Sequence, residues 1–375
     1  MTCRALYRLV SQHKSSFRSL DTMRPEYETL NEEILTGLLE ATGPRLSMLS
    51  LGVRTPEDDE PFGNHRKALP PSLHLIPYHS ILIREKSWLT RLHLHRMVLS
   101  LGALMAFRDF ADTLKELIIS GCSFEDCNVE GAELVEKSLV SLVAKCTQLA
   151  HLHIDGALEG NHWMVMTSRL LEVLPSTVSR VHISIQGALD IRHPEVLGRL
   201  NVEELGLTHN ALRSSHLDYL RQMKSLQSLD LSHSQFIDDF SAIAEIPTLR
   251  RLYLGSCTRL SDDALMAICL GCPRLSLLHI PLCHQIGSTA LQHIRFLFEL
   301  ENISLRGLSR VSAHLIFCLN GLPNLQEVDI SDCYQLTLSD IELLCEAPAI
   351  RLIDIRGIRL PSHTFPPNIR VLRDL

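Results

Sequence analysis

Along most of the chain the aliphatic positions recur in a two-part rhythm. A six-residue pattern, LxxLxL with any aliphatic residue at the three spaced positions, starts at Leu46, Leu89, Leu114, Leu149, Val178 and Val202. It starts again at Leu226, Leu249, Leu275, Leu300, Leu325 and Ile350. From Val178 onward the successive starts lie 23 to 26 residues apart. The end of the pattern alternates apolar and polar, as a short strand does when one of its faces is buried. The dozen residues that follow switch to helical spacing. In CTRLSDDALMAICLGC the apolar residues Leu260, Ala264, Leu265 and Ile268 share one helix face. Ser261 supplies an N-cap oxygen, with Asp262 and Asp263 in the first turn, and Gly271 and Pro273 end the helix.

One strand and one helix make half a layer, so each unit must bury its apolar face on its neighbours. The pattern predicts an α/β leucine-rich-repeat solenoid, a horseshoe of about twelve units with a parallel concave sheet and outer helices. The spacing breaks between Leu51 and Leu89. There a proline-rich stretch carries the acidic run Glu57–Glu60 and then His65, Arg66 and Lys67. It reads as an insertion near 52–88, with one degenerate repeat around Leu73–Leu75.

The repeat also accounts for the cysteines. Cys122, Cys257, Cys283 and Cys333 each lie three residues after the last strand aliphatic, where the chain turns into the core. A small thiol serves there as a compact hydrophobe. A metal site at Cys269, Cys272, Cys283 and His284 would need ligands spread over two turns of the solenoid, so the structural role is the expectation. The chain holds 11 cysteines, an odd number, which suits a reduced compartment better than a disulfide framework.

The motif of this stretch, seen in CTRLSDDALMAICLGCPRLSLLHIPLC and more loosely in CYQLTLSDIELLCEAPAIRLIDI, resembles the cysteine-containing class of leucine-rich repeat. That class is typical of F-box and leucine-rich-repeat proteins. The N-terminal TCRALYRLVSQHKSSFRSLDT looks like the second half of an F-box, with Cys3, Arg4, Tyr7, Leu9, Val10, Phe17 and Leu20 at matching places. The first half of the box, with its Leu-Pro and docking helices, has no counterpart in this sequence. On this resemblance residues 1–22 form a partial F-box remnant and 23–375 the solenoid. The resemblance implies the substrate-recognition subunit of an SCF-type cullin-RING ubiquitin ligase. Cys3, Tyr7, Leu9 and Val10 would face a Skp-type adaptor, with the cullin beyond it, and the chain would work in the cytoplasm or nucleus. A second reading of the N-terminus remains open. Arg4, Arg8, Lys14 and Arg18 among serines, with no acid, also suit a mitochondrial transit peptide, which would make the chain a mitochondrial assembly factor.

Composition narrows the function further. The net charge is −7 with both signs mixed along the chain, which argues against a nucleic-acid partner. The apolar run at 97–107 is too short to span a bilayer, so no membrane partner is expected. No phosphate loop, dinucleotide fingerprint, zincin motif or nucleophile elbow appears, so neither a catalytic role nor a cofactor is expected. The exposed columns of the sheet are the expected site for a protein substrate. Their residues include Arg91, His93, His153, Arg180 and His182 in the first half, and Asp230, Arg251, Tyr253, His279, Arg306 and Asp329 in the second. Strands about 4.8 Å apart bring His153 and His182 almost into contact. Tyr253, between Arg251 and His279, is the expected aromatic anchor.

Overall fold

The computed structural model describes residues 18–22, 31–42, 45–52, 73–75, 79, 82–83, 88–124, 129–156, 169–185, 193–209, 212–361 and 363–374. The chain divides into two units, Met1–Arg192 and His193–Leu375. Cys3, Tyr7, Leu9 and Val10 lie outside the described residues, as does most of the expected insertion.

In the first unit six parallel strands form one sheet. They are β1 (Ser19–Asp21), β2 (Met48–Gly52), β4 (Arg91–His95), β6 (Glu116–Ser120), β8 (His151–Gly156) and β9 (Arg180–Ile185). Each pairs with the next in that order. Five of them are the strands expected from the periodicity. The sixth, β1, lies inside the segment that resembles the end of a box, so the first coil begins there. A second row holds β3 (Leu73–Leu75), β5 (Met97–Leu99) and β7 (Ser123–Phe124), also parallel. The Leu73–Leu75 stretch is therefore no degenerate main-sheet strand. It is the returning strand of the β2 coil, and its Leu75 is buried on the second side of the core, as Met97 and Leu99 are for the next coil.

In the second unit eight parallel strands follow one another. They are β10 (Glu204–Thr208), β11 (Ser228–Asp230), β12 (Arg251–Tyr253), β13 (Leu277–His279), β14 (Asn302–Ser304), β15 (Glu327–Asp329), β16 (Leu352–Asp354) and β17 (Arg370–Leu372). Register places Leu229, Leu252, Leu278, Ile303, Val328 and Ile353 in one column, every member buried. At about 1.5–3 kcal/mol per fully buried aliphatic side chain, such columns are the main source of stability. A lone coil would leave half of each side chain wet, so the column stabilises only as a stack.

Coil length sets what closes each coil. The coil from Leu226 to Leu249, at 23 residues, has room only for the 3₁₀ turn Ser241–Glu245. The next coil, at 26 residues, holds the ten-residue helix Asp262–Gly271. Ser261 Oγ accepts the Ala264 N–H at that helix start, with Asp262 and Asp263 in the first turn, as expected. Thr337 and Asp340 form a reciprocal capping box on the helix Leu338–Cys345. The helices and 3₁₀ turns pack on those of neighbouring coils, and the aliphatic core lies between them and the sheet.

Past each of the first seven strands of the second unit, β10 to β16, one residue turns left-handed. His209, His233, Ser256, Leu282, Gly307, Asp332 and Gly357 all have φ between 53° and 82°. Their N–H groups donate to the next coil, as in His233 to Gly255, Ser256 to Pro281 and Asp332 to Arg356. The turn thus adds a ladder of rungs beyond the sheet, which stabilises a backbone shape that non-glycine residues otherwise avoid.

The cysteines sit beside this ladder. The thiols of Cys122, Cys257, Cys283 and Cys333 donate to the carbonyls of Leu94, Leu231, Leu254 and Leu305 in the preceding coil. Cys272 donates to Ile243. Burial pushes the Cys269, Cys272 and Cys283 thiols up to about 12 and raises Cys257 as well. The thiolate is the form that attacks an alkylating reagent, so these groups are inert while the fold is intact. Alkylation near pH 8 should modify the peptides carrying Cys257, Cys269, Cys272 and Cys283 only after denaturation. Rapid labelling of the native chain, read by mass spectrometry, would contradict the buried role.

Among the described residues no helix is long and apolar enough to cross a membrane.

Candidate functional site: the exposed sheet faces

Alternation along each strand turns one set of side chains into the core and the other onto the face. In the first unit the face of β4, β6, β8 and β9 is three columns deep. Arg91, Glu116, His151 and Arg180 form one column, with His93, Ile118, His153 and His182 beside it. The third begins with His95, Ser120 and Asp155, and β8 and β9 continue it with Ser184.

The two imidazoles expected to meet do so. His153 and His182 stack with ring centroids 4.5 Å apart and planes within 19°. His153 Nε2 also bonds Asp155 Oδ2, while Ser120 Oγ and the Gly121 N–H donate to the same carboxylate. Burial pushes the Asp155 carboxyl up, but the bonds from His153, Gly121 and Ser120 outweigh it and hold it below the usual range. His93 Nε2 lies 3.2 Å from Glu116 Oε2. Asp155 is a site residue that the six-residue motif does not reveal. The strands here run five or six residues, so the alternation in HLHIDG carries one position further than the motif.

In the second unit Tyr253 and His279 are register partners on β12 and β13. Their rings meet edge-on at 5.8 Å. Burial raises the Tyr253 hydroxyl above its ordinary range against the opposing pull of Arg251. Arg251 donates to Glu204 Oε1 at 2.9 Å, across the intervening strand. Arg306 donates to Asp332 at 3.0 Å. The patch Arg251, Tyr253 and His279 is assembled as expected, although its guanidinium already has an acid partner.

The acidic end of the expected face is corrected by the structure. Asp329 is 2% exposed and Asp354 is fully buried. Each stands just before a turn and accepts the N–H two residues on: Ser232 to Asp230, Ser331 to Asp329 and Arg356 to Asp354. Ser304 and Ser331 hydroxyls also bond Asp329, and Arg356 brackets Asp354. Burial raises the Asp329 carboxyl; the serine bonds oppose this and the neighbouring Asp354 charge adds to it. Asp329 therefore fastens the turn instead of standing exposed on the face, and the half-buried Asp230 shares that task.

Comparison with known proteins fits this architecture. A family model described as Leucine Rich repeat matches residues 245–269. Over 151 residues the chain is 28% identical to Antagonist of mitotic exit network protein 1 of Eremothecium gossypii, a match covering 37% of this chain and 38% of that protein. The match thus spans well under half of that relative. A chain from the crystal structure of the Rad7 and Elc1 complex in yeast aligns with a TM-score of 0.63 at 17% identity, over 99% of this chain and 88% of that one. An internalin of Listeria monocytogenes aligns with a TM-score of 0.50 at 15% identity, over 96% and 88%. At these identities the likeness shows the fold, which is that of an α/β leucine-rich-repeat solenoid.

Proposed function

We propose that this leucine-rich-repeat protein is the substrate-recognition subunit of an SCF-type cullin-RING ubiquitin ligase. The repeats hold a target protein, and the box-like residues before β1 face the Skp-type adaptor. The observation that carries the binding role is the pair of exposed sheet faces, where aromatic, imidazole and guanidinium groups project from a rigid parallel sheet. Such faces give a partner fixed anchors at little cost in ordering. The ligase assignment is supported by the cysteine-class repeat and the box-like N-terminal residues. The likeness to a repeat chain solved in complex with Elc1 adds to this.

The chain itself is not an enzyme in this reading. Its buried thiols are pushed toward the inert form and its face carboxylates fasten turns or accept from histidines. Transfer of ubiquitin belongs to the ligase partners.

Two measurements test the proposal. Joined to a complete box, the chain should capture the Skp-type adaptor and cullin in a pull-down; failure to capture either rejects the ligase role. The triple variant Arg251→Ala, Tyr253→Ala and His279→Ala should lose target capture at least about ten-fold, as expected when one aromatic anchor is removed. Its thermal unfolding should remain cooperative. Full capture by a folded triple variant rejects this patch as the anchor.

A further inference from the structure

The face arginines differ in their partners. In the second unit Arg251 pairs with Glu204, Arg306 with Asp332 and Arg356 with Asp354, while Arg370 on the last strand has no ion-pair partner among the described residues. In the first unit Arg91 and Arg180 are exposed, and neither guanidinium has an ion-pair partner among the described residues. The acids that share their face are already engaged. Glu116 is held by His93, and Asp155 by His153, Ser120 and the Gly121 N–H. Beside Arg180, in the neighbouring column of β8 and β9, lies the flat pair of stacked imidazoles, His153 and His182. The result is a strip with one unneutralised cation at each end and a planar platform beside the line between them.

We infer that this strip docks an extended acidic segment of a protein partner, with carboxylates at positions i and i+4. The spacing follows from the register. Arg91 and Arg180 occupy one column on strands three steps apart, about 14 Å by strand spacing. An extended chain advances about 3.4 Å per residue with alternate side chains on one side, so residues four apart reach both guanidiniums from the same face. Each arginine then takes one carboxylate through paired N–H donors. Residue i+2 falls near Glu116 and His151, which disfavours a third acid there.

The same geometry argues against a phosphate backbone. Two free guanidiniums beside Glu116 release too few counterions to hold a nucleic acid on a chain of net charge −7. A phosphomonoester at the Arg91 position would bring a second negative charge toward Glu116. This inference rests on the protein-binding reading above and supplies the chemistry of one partner segment.

Fluorescence anisotropy of labelled synthetic peptides with the full chain tests it. A peptide with aspartates four positions apart in a serine-threonine background should bind. Its asparagine counterpart should bind at least about ten-fold more weakly, the loss of about one charge-assisted pair. Aspartates three apart should also bind more weakly, because they project to opposite sides of an extended chain. The variant with both Arg91→Gln and Arg180→Gln should lose about ten-fold or more at low salt, with unchanged thermal unfolding. Equal binding by the double variant, or by the asparagine peptide, overturns the strip. Tighter binding of a phosphoserine peptide or of single-stranded DNA overturns the carboxylate assignment. Adaptor capture without peptide binding removes this inference and leaves the ligase reading, and peptide binding without adaptor capture does the reverse.

Discussion

Replacing Gly271 with alanine should destabilise the second unit by about 3 kcal/mol, at the upper end for a forced overlap in a packed interior. Helix propensity alone argues the opposite. Gly271 is the last residue of the helix Asp262–Gly271, and alanine gains up to about 1 kcal/mol over glycine inside a helix. Packing decides the sign. A Cβ built at position 271 falls 2.1 Å from the Ala244 carbonyl oxygen and 2.8 Å from its carbon. These are backbone atoms of the preceding coil, so no rotamer change relieves the overlap. The helix must move away from the turn Ser241–Glu245, and the buried Ile243, Ile246, Ile268 and Cys272 lose their close packing.

Gly321→Ala is the matched control. A Cβ there first meets the Cys318 carbonyl at 3.5 Å, an ordinary contact, and stability should change by no more than about 0.5 kcal/mol. Urea unfolding of both variants gives the comparison. A Gly271→Ala chain as stable as the parent would show that coil spacing is looser than the backbone contact implies.

Acidification should weaken the same unit through one imidazole. His209 and His233 occupy left-handed positions on consecutive coils and stack with centroids 4.0 Å apart and planes within 9°. Burial, with a further push from the neighbouring His233 charge and partial opposition from Asp230, lowers the His209 pKa to about 4. The unfolded chain takes this proton near pH 6.5, whereas the folded chain resists until about pH 4. Between those values the unfolded state binds more protons. The contribution is therefore complete above pH 6.5, falls as pH drops through the window and levels off below about pH 4. Its size is about 2–3 kcal/mol after allowance for the half-exposed ring.

His209→Asn tests this well, because asparagine tolerates the left-handed backbone and carries no titrating proton. The urea midpoint of the parent should fall more steeply than that of the variant between about pH 6.5 and pH 4.5. Parallel profiles would assign the acid sensitivity elsewhere. The depressed Asp155 carboxyl contributes only at lower pH: its stabilisation is present above the ordinary aspartate range and is lost as pH falls through the folded value.

These residues also mark how far the chain was legible from its letters. The twelve strands announced by LxxLxL are all present, because the pattern is local and a buried stripe repeats within each unit. β1 and β17 escaped because polar residues interrupt the motif there: Thr22 stands at its last aliphatic position in one, and Asn368 and Arg373 at its outer positions in the other. The helix start at Ser261 and the turn cysteines were legible for the same local reason, since cap and turn are set by residues within a few positions. The meeting of His153 with His182, and of Tyr253 with His279, followed from adding the strand spacing to the repeat length.

What the letters could not carry is which polar groups the neighbouring coil would engage. Asp329 reads as an exposed acid in its own coil and becomes buried because Ser304 and Ser331 close over it. Arg91 and Arg251 have the same place in the motif, yet only Arg251 meets a Glu across the sheet. Thus the amino-acid sequence by itself determined the coil: its strand, its turn, its caps and the side of each side chain. The tertiary structure alone decided the state of the face, its paired and unpaired charges and its shifted protons. The physical reason is that hydrophobic periodicity acts over a few residues, whereas ion pairs and desolvation depend on atoms a whole coil away along the chain.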